Sequence, residues 1–154
     1  MIDTPHIART TTQLTAMIPL TVPCEEIRNV MGPGIQELMT ALAAQGIAPT
    51  GPIFTHHLRR PTDSFEFEIH VPVSAPVTAA GRVLPSEWPA MTVARTVYHG
   101  RYEGLGEAWG EFIDWIEANG HLPAGDLWER YTVGPHASPD PADWRTELNR
   151  PLIR

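Results

Sequence analysis

Glu129 is the side chain in this sequence with the clearest chemical potential. It lies in Leu127-Trp128-Glu129-Arg130-Tyr131, a run that reads as a β-strand. With a side-chain period of two, Leu127, Glu129, Tyr131 and Val133 share one face, and Trp128, Arg130 and Thr132 share the other. The first face is otherwise apolar or aromatic. Even a neutral polar group buried there without a partner costs about 2–7 kcal/mol. The carboxylate therefore needs an internal cation, for which Arg95 and Arg145 are candidates, or a cavity where ligand or water can meet it. In a cavity it could neutralise a bound cation, or act as general base or acid with its pKa raised by the apolar surround. Tyr131 could donate its hydroxyl to a ligand or to Glu129; its plainer role is a packed ring with a wet hydroxyl.

Around this pair, Tyr98 and Trp88 are wall candidates by position. Trp109, Phe112 and Trp115 have the spacing of helix-to-sheet core packing, and Trp109 is the one placed near a helix start, where it could reach a site. Aromatic faces suit flat apolar ligands and cations alike. His57 is a further polar candidate, although a surface histidine is the ordinary reading. His56 and His57 are adjacent, so on a strand they face opposite ways and cannot chelate together. No His-x-x-x-His, Cys-x-x-Cys or His/carboxylate cluster is evident in the sequence, which argues against a metal site. Gly32/Gly34 and Gly104/Gly106 lack a phosphate-loop pattern, and no Gly-x-Ser-x-Gly or nucleophile–His pair is present. No cofactor is expected.

The totals bound the frame that must position these residues. A chain of 154 residues, 42% hydrophobic and 19% charged, fits one domain or two small halves sharing a core. Eleven basic against 18 acidic side chains give a net charge of −7, which disfavours direct nucleic-acid binding. Cys24 is the sole cysteine, so no disulfide forms within the chain; it reads as a small packing residue and suits a reducing cytoplasm. No signal peptide is visible, and no apolar run approaches the roughly 20 residues of a membrane helix. A cytoplasmic protein without membrane contact is expected.

Read in order, Met1 to Thr12 is polar and irregular, and too short to hold a DNA-reading unit. Gln13 to Val22 is a strand. Pro23 opens a short helical stretch, interrupted at Gly32-Pro33-Gly34, and a second helix spans Ile35 to Gln45 with Gly46 as its stop. Ile53 to Leu58 is a strand, residues 59–63 a hairpin connection, and Ser64 to Val73 a strand of clean alternation. Ser74 to Ala90 is a long link. Met91 to His99 is a strand, Tyr102 to Asn119 a helix with Leu105, Trp109, Phe112, Ile113 and Ile116 inward, and Gly120 its stop. The Glu129 strand, a proline-rich loop over Gly134 to Asp143 and a final strand from Trp144 to Arg150 complete the chain.

The two halves echo each other. Ala44-Gln45-Gly46-Ile47-Ala48-Pro49-Thr50-Gly51 matches Ala118-Asn119-Gly120-His121-Leu122-Pro123-Ala124-Gly125 at an offset of 74, and Glu68-Ile69-His70-Val71-Pro72-Val73 matches Glu147-Leu148-Asn149-Arg150-Pro151-Leu152 at an offset of 79. Pseudo-repeats of about 13–73 and 91–152, joined by a link over 74–90, follow. Each reads strand, helix, strand, strand, and each is too small to bury its apolar face alone. A seam between such halves is a common ligand site. Glu129 corresponds to Thr55 and Tyr131 to His57, so only the second half carries the carboxylate.

Tyr98-His99-Gly100-Arg101-Tyr102-Glu103-Gly104-Leu105-Gly106-Glu107-Ala108-Trp109, then Leu127 to Tyr131, then Asp143-Trp144-Arg145-Thr146-Glu147-Leu148 closing with Pro151-Leu152, occur in an order that resembles the GyrI-like small-molecule-binding domain. That domain is also the effector-binding part of multidrug regulators of the MerR and AraC types. The resemblance spans about Leu14 to Leu152. It implies an α+β fold in which duplicated βαββ-type repeats make a curved antiparallel sheet with helices on one side. It implies a pocket with a central glutamate, mapping to Glu129, and lipophilic, often cationic ligands. Trp88 before Pro89 departs from the smaller residue expected there and could narrow the pocket. The family's regulators carry a DNA-binding partner domain, which is absent from this sequence.

Three functions are compatible with these features. The first is a stand-alone small-molecule binding protein for a lipophilic, multidrug-type ligand, with Glu129 as charge partner and Tyr131, Tyr98, Trp88, Trp109 and His57 around it. The second is a cyclopropanoid hydrolase, implied by family members that open cyclopropane-bearing DNA-alkylating compounds, with Glu129 activating water and Tyr131 protonating the leaving oxygen. The third is an interaction protein whose partner is gyrase or a separate regulator.

Overall fold

The computed structural model describes residues 2–23, 26–58, 64–135 and 137–153. Cys24 and the connection over 59–63 lie outside the described residues. In chain order the elements are β1 (His6–Arg9), β2 (Gln13–Pro23), α1 (Ile27–Gln45), β3 (Phe54–His57), β4 (Ser64–Pro72), β5 (Leu84–Trp88), β6 (Thr92–His99), α2 (Leu105–Ala118), β7 (Leu122–Pro123), β8 (Leu127–Val133) and β9 (Arg145–Ile153). They fall into two compact units, Thr11–Ala90 and Met91–Arg154 with Met1–Thr10. All the strand pairs within them are antiparallel, as expected of this α+β class.

In the Thr11–Ala90 unit the strands run β3-β4-β2-β5. Alternation sends Ala16, Ile18 and Leu20 of β2 and Phe67, Ile69 and Val71 of β4 to one side, where Leu38 and Leu42 of α1 close the core. The other unit repeats the plan as β8-β9-β6-β1, with the short β7 also on β9. Here Trp109, Phe112 and Ile116 of α2 pack with Ala94, Tyr98, Leu127 and Leu148. Both helices end on glycines of positive φ, Gly46 at 66° and Gly120 at 78°. The amide of Ile47 then donates to the Leu42 carbonyl (3.0 Å) and that of His121 to the Ile116 carbonyl (3.1 Å). No helix among the described residues is long and apolar enough to cross a membrane.

Three local expectations are corrected. The N-terminal segment contains a strand, β1, register-matched to Thr92–Arg95 of β6; four mostly exposed residues carry too little periodicity to announce it. The Ser74–Ala90 link contains β5, which pairs with β2. Its Pro85 weakens the strand pattern but is tolerated at the end of the strand order. The helix is not interrupted at Gly32-Pro33-Gly34: α1 runs through Pro33. An internal proline costs about 3 kcal/mol or more, but Val30 and Met31 before it and Ile35, Leu38, Met39 and Leu42 after it all pack on the same core. Burial overrides local propensity. A β-carbon at Gly34 would stand 2.8 Å from Ile69 Cδ1, so that glycine serves helix-to-sheet approach.

The junction before α2 is equally tight. A 3-10 turn over Tyr102–Gly104 precedes the helix. The Tyr98 hydroxyl donates to the Arg101 carbonyl at 2.7 Å. A β-carbon at Gly104 would overlap that hydroxyl and reach the ring carbon Cζ at 3.0 Å. Gly104→Ala should therefore destabilise the protein by about 1–3 kcal/mol, the usual cost of overpacking. In a Tyr98→Phe background the same change should cost measurably less. Urea unfolding of the four proteins in a double-mutant cycle checks this, and strict additivity would contradict it.

Candidate functional site

Register explains where β8 places its carboxylate. Glu129 is matched to Leu148 of β9, and Leu148 to Thr96 of β6, so Glu129 belongs to the side of the sheet that α2 covers. Trp109, in the second turn of α2, is 4% exposed and sits in that core. Its indole Nε1–H donates to Glu129 Oε2 at 2.6 Å. Tyr131, two residues along the same face, donates its hydroxyl to Glu129 Oε1 at 2.8 Å. Glu129 is 7% exposed, and each of its carboxylate oxygens accepts from a different element. Hydrogen bonds of this kind favour the ionised form against the burial that opposes it.

The two arginines offered as internal partners have other contacts. Arg95 is matched to Asn149, on the alternate set of positions from Glu129, and its Nε donates to Asn149 Oδ1 at 2.7 Å. Arg145 Nη1 donates to the carbonyls of Ala142 (2.9 Å) and Trp144 (2.8 Å).

A run of rings continues from Tyr131. Tyr102 meets it edge-to-face at 5.8 Å and stacks on Trp144 at 5.2 Å. Tyr102 is 37% exposed, so this run reaches the surface. Burial, and after it the negative field of Glu129, raise the Tyr102 phenol above its ordinary pKa. Neither Tyr102 nor Trp144 stood out in the sequence. Their signal is topological: the turn holding Tyr102 follows β6, Trp144 immediately precedes β9, and the two strands are paired.

The structure thus brings Glu129, Tyr131 and Trp109 into direct contact. Tyr98 is buried in the same unit with its hydroxyl turned to Arg101. Trp88 and His57 belong to the other unit: Trp88 packs on Phe54 at 4.9 Å, and His57 stacks on Phe67 at 5.3 Å with Nε2 3.0 Å from Thr55 Oγ1. A shallow cleft of about 320 Å³ is lined by Ile2, Asp3, Thr4, Pro5, Glu111 and Trp115, and its lining does not include Glu129.

One grouping has no contiguous sequence motif. His56 Nδ1 lies 3.0 Å, and His70 Nε2 2.9 Å, from Glu68 Oε1. A His/carboxylate cluster therefore exists, contrary to the sequence reading. It is assembled across strands by the match of His56 to Glu68. Half-burial opposes ionisation of Glu68, but the hydrogen bonds with His56 and His70 outweigh it and hold the carboxyl at about 2. Burial lowers His70, with Glu68 opposing.

Removing the Glu129 carboxylate takes the acceptor away from a buried indole and from a tyrosine. Glu129→Ala should cost about 1–3 kcal/mol, and Glu129→Gln, which keeps one acceptor oxygen, should cost less. Urea unfolding followed by tryptophan fluorescence checks the order. Equal stability of Glu129→Ala and the native chain would contradict the two hydrogen bonds.

Comparison with known proteins agrees with this architecture. The model of the GyrI-like small molecule binding domain matches residues 4–152. No curated protein matches the sequence. Among solved structures, the EcmrR C-terminal domain superposes with a TM-score of 0.88 at 22% identity, covering 98% of both chains. EcmrR in its DNA complex gives 0.87, and there this chain spans only 57% of the other. A hydrolase encoded by lin2189 from Listeria innocua gives 0.70 at 11% identity, covering 97% of this chain and 91% of the other. SAV2435 bound to tetraphenylphosphonium gives 0.69 at 12%, covering 98% and 94%. At these identities the solved structures establish the fold alone, whereas the family model covers nearly the whole sequence. The chain belongs to the GyrI-like small molecule binding domain family.

Proposed function

We propose that this protein binds a lipophilic cation, with Glu129 as the charge partner and Trp109, Tyr131, Tyr102 and Trp144 as the aromatic surround. The observation that carries this reading is the buried carboxylate held by two aromatic donors, Trp109 and Tyr131. An anion in a low-dielectric surround attracts a cation far more strongly than one in water, and ring faces add cation–π attraction of about 0.5–2 kcal/mol. Tyr98, in the same unit, remains a proposed member of the site. The structural relative that holds tetraphenylphosphonium makes that cation the natural probe.

Tetraphenylphosphonium should bind the native protein and bind Glu129→Gln at least about 10-fold more weakly, a loss of roughly 1.4 kcal/mol. Binding of a neutral apolar dye such as Nile red should change little. Isothermal titration calorimetry and fluorescence titration provide the two readouts. Equal affinity of both proteins for the cation would remove the charge-partner role.

A second reading rests on the 2.8 Å contact of Tyr131 with Glu129 and on the hydrolase among the structural relatives. Glu129 would take a proton from water as that water attacks a strained cyclopropane carbon. The carbon–carbon bond breaks towards a conjugated carbonyl, and Tyr131 protonates the resulting oxygen. Turnover of a spirocyclopropane substrate that disappears in Glu129→Gln would favour it; saturable binding without product would exclude it.

A further inference from the structure

A second chemically organised cluster lies on the Thr11–Ala90 unit, on the alternate strand positions from those packed against α1. Phe54, His56, Glu68 and His70 share these positions through the match of Phe54 to His70 and His56 to Glu68. We propose that His56, Glu68 and His70 form a site for a divalent transition ion of the zinc class. One ligand atom from each of His56, Glu68 and His70 lies within 4.8 Å of the other two. Two imidazole nitrogens and one carboxylate oxygen make the donor set of three-ligand zinc sites, in which water fills the remaining position.

The surroundings of His70 are those of an oriented ligand. Its second ring nitrogen, Nδ1, stands 2.8 Å from Thr15 Oγ1, and both residues are buried. A hydroxyl can donate or accept, so Thr15 serves either tautomer. When Nδ1 carries the proton and donates to Thr15, the Nε2 lone pair is directed to the carboxylate side, the second-shell arrangement usual for metal-bound histidine. Phe54 stacks on the His70 ring at 5.1 Å and 11°, which fixes its plane. The His56 and Glu68 side chains are 15% and 20% exposed while that of His70 is 1% exposed. The cluster therefore has a wet outer edge through which an ion can enter. Binding requires that the two ring nitrogens facing Glu68 carry no proton.

The internal repeat sharpens the case. At offsets of 79 and 74, Glu68, His70 and His56 correspond to Glu147, Asn149 and Arg130. There Asn149 Nδ2 donates to Glu147 Oε1 at 3.0 Å, and the Nε atoms of Arg95 and Arg130 each lie 3.6 Å from it. Guanidinium and amide nitrogens hold a carboxylate but do not ligate metal. The imidazoles that can do so occur in one repeat and not in the other.

The test uses the untagged full chain, stripped with chelator and titrated with Zn²⁺ by calorimetry and with Co²⁺ by visible absorption. One ion should bind per chain, with Co²⁺ developing ligand-field bands. His56→Ala and Glu68→Gln, each shown to be folded by circular dichroism, should bind at least about 10-fold more weakly. Tetraphenylphosphonium binding should be the same in His56→Ala as in the native chain. Absence of stoichiometric binding would overturn the proposal, and so would native affinity in both variants, which would place the ion on other histidines.

Discussion

A carboxylate on the helix-covered side of a sheet is the constraint around which the Met91–Arg154 unit is built. Such a group is tolerated only where donors are already in place, since burying a charge costs far more than burying an amide. Here one donor comes from α2 and the other from β8 itself. The indole requirement fixes the rotation of α2 at Trp109, and Phe112 and Ile116, roughly one and two turns further, then fall on the same core. Gly104 permits the close approach at the helix start, because Tyr98 occupies the space its side chain would need. A polar pair thus sets where an apolar core begins, and the order of side chains along α2 follows from it.

The Thr11–Ala90 unit shows what the same frame does without that charge. At the position of Glu129 it has Thr55, and at that of Tyr131 it has His57. Thr55 and His57 are within 3.0 Å of each other, so the i, i+2 pairing on the strand face persists. Around them the core is filled by Phe65 and Phe67, which stack on or tilt against His57 at 5.3–5.7 Å. A hydroxyl and an imidazole are less costly to bury than a carboxylate, and ring packing suffices.

Much of this was legible in the sequence, for a physical reason in each case. The alternation of Phe65, Phe67, Ile69, Val71 and Val73 announces β4 because one face is dry. Gly46 and Gly120 announce helix ends because each must adopt positive φ. The contact of Tyr131 with Glu129 was readable because residues two apart on a strand share a face. What was hidden depended on other segments. Helix α1 survives Pro33 only because β2 and β4 cover both sides of the break. Strands β1 and β5 exist because β6 and β2 offer them open edges, which no local pattern encodes. The His56–Glu68–His70 cluster requires the β3–β4 register, which matches His56 to Glu68 and which no local pattern encodes.

What the duplication preserves is position, while the chemistry at each position has diverged. A carboxylate stands at Glu68 and at Glu147, and in both units nitrogen-bearing side chains converge on it from its own strand and from neighbouring ones. Around Glu147 stand two guanidiniums and an amide, groups that hold a carboxylate but do not ligate metal. Around Glu68 stand imidazoles, whose ring nitrogens can serve as hydrogen-bond partners or as metal ligands. The buried anion shows the opposite division: Glu129 is present where its repeat partner is Thr55. In each unit the two polar arrangements lie on opposite sides of the strands, Glu147 and Glu129 in one, Glu68 and the Thr55–His57 pair in the other. Gene duplication followed by substitution at single positions is sufficient to produce that pattern, since strand register and the glycine stops are common to both copies and need not change.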